Sequence, residues 1–212
     1  MIVKIRPIKD WRHIFLDTSV IIDLTINEDT LKDDAIKERV VFTKKLFSII
    51  KDIRNREKKQ AFYYVSSVTI GELITLDGRH PRQNVVTTLK SENLEVIDYS
   101  SEVATDLSQN IGKIIPNQEY KSLFKSLRNN IAAKAVNIGR NWIKDDFKIC
   151  FCARSVKELD VILTADKNTF LPIGRRLGLP VLSTCGNDIP LDFFNEINID
   201  YNFNFTLKQD RS

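Results

Sequence analysis

Short apolar runs that stop at a polar residue, each followed by a stretch of helical periodicity, constrain this chain more than any other feature. His13–Leu16 is such a run. It stops at Asp17, and the TSVIIDL that follows is apolar at helix-compatible positions. Asp34–Lys59 predicts a long amphipathic helix, with Val40, Val41, Leu46, Phe47, Ile50 and Ile53 near helical spacing and Lys and Arg on the other face. Ala61–Val65 predicts a second strand, bounded by Ser66 and Ser67. A helix starting at Ser67 carries Glu72 in its second turn. Gly78 and Pro81 mark a loop, and Leu94–Ile97 reads as a third strand. Ser100–Ile115 reads as a helix broken by Pro116 and Asn117. Asn117–Lys144 follows as a helical basic stretch, and Asp145–Glu158 as a separate helix. Val161–Thr164 is β-branched-rich and ends just before Asp166. Gly178 and Pro180 flank a turn into a last strand, Val181–Ser183. This alternation predicts an α/β fold of three layers, a central mostly parallel sheet with helices on both faces.

The chain has 212 residues, which suits a single domain. The boundaries expected are one domain over 1–212, with a helical basic insertion near 117–144 and a C-terminal tail at 187–212. The tail contains INIDYNFNFTL, apolar at every second position, which fits an edge strand, a docking segment or a loosely ordered terminus. Charged residues make up 28% and the net charge is +4, a balance compatible with a polyanionic partner without identifying one. Cys150, Cys152 and Cys185 are odd in number and form neither a disulfide framework nor a zinc pattern. A reduced, cytoplasmic setting is expected. The sequence shows no leader-like h-region and no stretch long enough to span a bilayer, so no membrane association is expected.

Four acids stand out by position. Asp17 follows the first strand, Glu72 lies early in the helix after the second, Asp146 (or its neighbour Asp145) opens the helix before the fourth, and Asp166 lies just past the fourth. In an open parallel sheet, ligands bind outside the carboxyl ends of the strands, so these residues are expected to converge on one crevice. Like charges at contact distance raise each other's pKa, and a cluster that stays ionised needs a cation. Hard oxygen ligands favour Mg²⁺ or Mn²⁺. Such an ion could lower the pKa of an attacking water, and a second could stabilise the leaving oxygen.

The phrases IFLDTSVIIDL, SSVTIGELI, DDFKICFCA and VILTADKNTF resemble, in order, the four acidic motifs of PIN-domain nucleases, including the VapC-like toxin ribonucleases. Asp17-Thr18-Ser19 matches the first motif, Glu72 the second, Asp146 through Ala153 the third and Thr164-Ala165-Asp166 the fourth. The match spans about Ile14–Ser183. The resemblance implies a PIN-like fold, a divalent-metal-dependent endoribonuclease acting on single-stranded RNA, and Asp17, Glu72, Asp146 and Asp166 as catalytic metal ligands. It implies supporting roles for Thr18, Ser19 and Thr164, with Asp145 beside them. It also implies an antitoxin protein as partner, and a homodimer is compatible with it. The chain departs from the compact pattern in its length and in Cys150, Phe151 and Cys152, which stand where small alanines are usual.

Plainer readings exist for each residue. Asp17 and Asp166 suit helix N-caps. Thr69-Ile70-Gly71-Glu72 fits a capping box. Asp145 and Asp146 suit a helix first turn. Asp23 reads as solvated, Cys150 and Cys152 as buried small hydrophobes, and His13 as a strand-edge residue; His80 belongs to no constellation. Lys121, Lys125, Arg128, Lys134, Arg140 and Lys144 fit either a solvated helix face or a wall that binds the phosphate backbone. Phe124, Trp142 and Phe147 read as core. Two other functions fit the same residues: a DNA-directed or structure-specific nuclease, and a catalytically silent RNA- or protein-binding module. Nothing in the residues separates ribose from deoxyribose.

Overall fold

The computed structural model describes residues 5–75, 93–119, 121–122, 125 and 136–185. Five strands form one sheet: β1 (His13–Leu16), β2 (Phe62–Ser66), β3 (Leu94–Ile97), β4 (Val161–Thr164) and β5 (Val181–Ser183). Their order is β3-β2-β1-β4-β5, and every adjacent pair is parallel. The helices are α1 (Thr18–Thr25), α2 (Asp34–Glu57), α3 (Ser67–Thr75), α4 (Ser101–Ile114), α5 (Val136–Ser155) and α6 (Phe170–Arg176). The α/β reading with a central parallel sheet therefore holds. His13 is the first residue of the central strand β1, at the edge of that strand.

Side-chain alternation on the strands makes the three layers. Ile14 and Leu16 of β1, Tyr63 and Val65 of β2, and Val161 and Leu163 of β4 face one way, against α1, α2 and Leu73 of α3. Phe15, Tyr64 and Ile162 face the other way, against α4, α5 and α6. A run buried on both faces reads as continuously apolar, which is why FL, YV and VIL carry no polar alternation. Gly174 lets α6 lie tightly on β5, since a Cβ there would collide with the Val181 side chain. Asp33 caps α2, accepting from Ala35 N at 2.9 Å and Ile36 N at 3.2 Å.

The structure corrects two expectations. α5 runs unbroken through the predicted boundary at 144/145, because Ile143, Phe147, Ile149, Cys150 and Ala153 form one continuous buried stripe and no Gly or Pro falls between Ile143 and Ala153. Asp145 and Asp146 therefore sit in mid-helix, not in a first turn. Asp23 is fully buried, gripped by Arg39 through Nε at 2.9 Å and Nη2 at 2.7 Å, with Thr43 at 3.4 Å. It is not solvated. Burial raises its pKa and the Arg39 bonds oppose that rise. The Gly78–Pro81 loop, His80, Phe124, Arg128, Lys134 and the 187–212 tail lie outside the described residues, as do the side chains of Arg140 and Trp142.

Candidate active site

The chain leaves β1 to build β2 and β3 on one side and later returns to build β4 and β5 on the other. The carboxyl ends of β1 and β4 thus flank the topological switch point, where open parallel sheets bind ligands. Asp17 follows β1 and Asp166 follows β4 by two residues. β2 delivers α3 and Glu72 to the same end, and α5 brings Asp146 over it.

Asp17 stands at the N-cap position of α1 but makes no side-chain capping bond. Its Oδ2 accepts from Ser19 Oγ at 2.6 Å and Thr164 Oγ1 at 2.7 Å. The two hydroxyls are aimed by the backbone: Ala165 N donates to Ser19 Oγ at 2.8 Å, and Asp166 N to Thr164 Oγ1 at 3.0 Å. With their acceptor sides taken by amides, both hydroxyls direct their hydrogens at Asp17. Thr18 Oγ1 donates to Glu72 Oε2 and lies 3.2 Å from Thr69 Oγ1. One hydroxyl has one hydrogen, so Thr69 is the donor to Thr18 in this chain of bonds. The capping-box reading fails as well. α3 starts at Ser67, two residues before Thr69, and Glu72 reaches across to α1.

Asp166 behaves differently. Its Oδ1 accepts from Asn168 N at 2.7 Å and Thr169 N at 3.0 Å, bonds that close the turn ahead of α6; the N-cap of α6 is Thr169, so Asp166 does not cap that helix. Its Oδ2 accepts from Thr169 Oγ1. Asp146 is 8% exposed, and its Oδ2 is buried without a hydrogen-bond partner. A carboxylate oxygen left so is costly. Asp145 is instead paired with Lys148 at 2.6 Å.

Burial pushes Asp17 up to about 6. The Ser19 and Thr164 bonds oppose the rise and the Asp166 charge adds to it. Glu72 is pushed up to about 7, chiefly by burial, with Asp17 and Asp145 adding and Thr18 and Lys148 opposing. Asp146 stands well above the usual carboxylate range through burial first, then the charges of Asp17, Asp166 and Glu72, against a hydrogen bond from Thr169. The four sequence-predicted acids thus lie within each other's fields. Asp17, Glu72 and Asp166 are each turned onto their own donors, however, and among the described residues no three Asp, Glu, His or Cys side chains form a ready-made set for a metal.

The carboxylates' donor atoms are all oxygens, the type a hard divalent ion takes, and Asp146 Oδ2 has no hydrogen-bond partner. Cys150 lies one turn beyond Asp146, fully buried, its thiol held well above its usual pKa by burial and by Asp146 and Asp17. It is an inert neighbour, as expected for a buried small hydrophobe. Cys152 is equally buried, accepting from Ser66 Oγ at 3.2 Å. Phe147 is core. Of the basic residues predicted to line the crevice, Lys121, Lys125 and Lys144 are exposed.

Sequence reasoning missed Thr169, and it met Thr69 only as a possible cap. Both are buried hydroxyls: Thr169 bonds Asp166 in the turn after β4, and Thr69 bonds the Thr18 hydroxyl that holds Glu72, a tertiary contact. The spacing of Thr169, three residues after Asp166, was the one available signal.

No family model matches the chain, and no curated protein matches it in sequence. A solved structure similar to it is VapBC2 from Rickettsia felis bound to a DNA fragment from their promoter. That likeness has 15% identity and a TM-score of 0.46 over 81% of this chain and 98% of that chain. At that distance it assigns no residue a role.

Proposed function

We propose that this chain is a divalent-metal-dependent phosphodiesterase, an endoribonuclease with Mg²⁺ or Mn²⁺ as its ion. One observation carries the reading. Asp17 and Asp146 are buried at the switch point without a basic hydrogen-bond partner, and Asp146 Oδ2 has no partner at all. Burying carboxylates this way is costly, and the cost is repaid when a cation arrives.

Asp17, Glu72 and Asp146 are the proposed ligands. Asp166, its oxygens already engaged, would reach the ion through water. Bound there, a divalent ion supplies positive charge to the phosphate oxygens and a stronger water nucleophile. The protein's own part is orientation. Ser19 and Thr164 hold one oxygen of Asp17, Thr18 holds Oε2 of Glu72, and Lys144, Lys121 and Lys125 offer charge to the substrate backbone.

The motif resemblance alone supports RNA over DNA, an antitoxin as partner and a homodimer. Cleavage of matched RNA and DNA strands with Mg²⁺, Mn²⁺ or chelator tests the reaction. Ion-dependent cutting of RNA, lost in Asp17→Asn, is expected. Equal cutting in chelator would overturn the reading. The donors already engaging Asp17 and Asp166 favour one rival, a silent binding module, for which nucleic-acid binding would survive Asp17→Asn without any cleavage.

A further inference from the structure

The sheet of the described residues has two edges, β3 and β5, and they are built differently. β5 is covered on both faces: Leu182 is buried toward α1 and α2, Val181 toward α5 and α6. β3 is one-sided. Leu94 and Val96 lie half-buried against the α1–α2 layer, while Glu95 points the other way and is exposed. The β3 backbone is also turned for a partner. Asn93 O accepts from Tyr63 N at 3.1 Å, so strand alternation directs Glu95 toward β2 and the N–H and C=O of Leu94 and Val96 outward. Among the described residues no strand pairs with that side. An open edge of this kind is a template for another strand.

One stretch of the sequence matches β3 and not β5. From Ile197 to Leu207, outside the described residues, apolar side chains stand at every odd position, with Asn198, Asp200, Asn202, Asn204 and Thr206 between them. Such alternation suits a strand with one face buried and one in water. A neighbour of β5 would continue a doubly covered strand, which calls for an unbroken apolar run. We propose that Ile197–Leu207 pairs with the outer edge of β3 in its own chain, as an antiparallel sixth strand. Its odd-numbered side chains extend the row of Leu94 and Val96, and its polar side chains face water on the side of Glu95. The reach is sufficient. The chain leaves β5 at the carboxyl end of the sheet, and the far side of β3 lies five strand spacings away, about 24 Å. Residues 186–196 extend to about 36 Å. Arriving from the carboxyl end sets the strand antiparallel, a common edge on an otherwise parallel sheet.

The test is amide hydrogen exchange on the full chain, a chain ending at Asn195, and the Phe203→Asp and Asn202→Asp variants, with oligomeric state from sedimentation. The full chain is expected to be monomeric, with the Leu94 and Val96 amides protected. Their exchange should be about 10-fold faster in the shortened chain and in Phe203→Asp, the loss of about one net hydrogen bond's protection. Asn202→Asp, on the water face, should stay within about 3-fold of the full chain. The Phe15 and Ile162 amides, inside the sheet, should be unchanged throughout. Equal exchange of Leu94 and Val96 in the full chain and in Phe203→Asp overturns the proposal. So does a loss of protection at Ser183 of β5 in place of β3. A dimeric full chain whose Leu94 and Val96 protection falls on dilution assigns the strand to a second copy, and overturns pairing within one chain. If the shortened chain also loses protection at Phe15 and Ile162, the two point variants decide: equal effects of Phe203→Asp and Asn202→Asp overturn the proposal.

Discussion

The two ends of the sheet both bury carboxylates, and they do so in opposite ways. At the amino end, Asp160 is 7% exposed and fully engaged: Arg6 Nη1 at 3.0 Å on Oδ1, and the amides of Arg12 and His13 at 2.8 and 2.9 Å on Oδ2. That acid has a cation and closes the backbone where β1 begins. At the carboxyl end, Asp17 rests on hydroxyls alone, and Asp146 has an oxygen with no donor. The difference teaches how to tell an acid that builds from an acid that waits for a partner. Burial alone does not separate them, but the identity of the donors does.

Substitution at the two ends should dissociate activity from stability. Asp17→Asn is expected to lower ion-dependent cleavage by more than about 100-fold, beyond the loss from a group that merely orients a ligand, with little change in folding. Asp160→Ala should do the reverse. It strands two backbone amides at the base of β1 and costs about 2 kcal/mol in urea unfolding, with Mn²⁺ affinity unchanged. If the alanine variant weakens Mn²⁺ binding instead, the two ends are not independent.

The next expectation concerns pH. Asp17 rises from 3.8 to about 6 and Glu72 from 4.5 to about 7 on folding. The folded state therefore holds these protons more tightly than the unfolded state. Their penalty is absent below the unfolded values, grows as pH rises through this window, and is complete above about pH 7. The ion-free chain should be less stable near pH 8 than near pH 5 by about 3 kcal/mol, and saturating Mn²⁺ should shrink that difference. A metal-free profile that rises with pH would show that the carboxyl-end acids are not the exposed liability described. The smallest effect sharpens the role of the hydroxyls: Thr164→Ser keeps the donor to Asp17 and should cut Mn²⁺ affinity by less than about 3-fold.

The sheet was legible because doubly buried strands are short, apolar and bounded by turn residues, and Asp17 and Asp166 followed as the polar residues that end them. The placement of Glu72 was legible from the helix start at Ser67. The partners were not. Whether Asp17 caps α1 or accepts from Thr164 depends on a residue 147 positions away. Asp23 was misjudged because helical spacing placed it off the face of Asp17. Its burial comes from Arg39 on α2, a pairing that only the packed layers disclose. Asp146 was assigned to a helix start because a charged pair beside Lys144 suggests a terminus, whereas the apolar stripe runs straight through. Asp160 drew no notice, since an acid before a strand looks like any loop residue until its bonds to β1 are seen.

The pair of amides just past β4 has a further consequence. Ala165 and Asp166 have left the hydrogen-bonded ladder, yet their N–H groups are spent on Ser19 and Thr164, which in turn hold Asp17. The loop is thereby stitched to the first strand's exit with sheet-like rigour. A chain threading β4 one residue out of step beside β1 would forfeit these stitches together, so this corner doubles as a proofreader of how the strands are laid down.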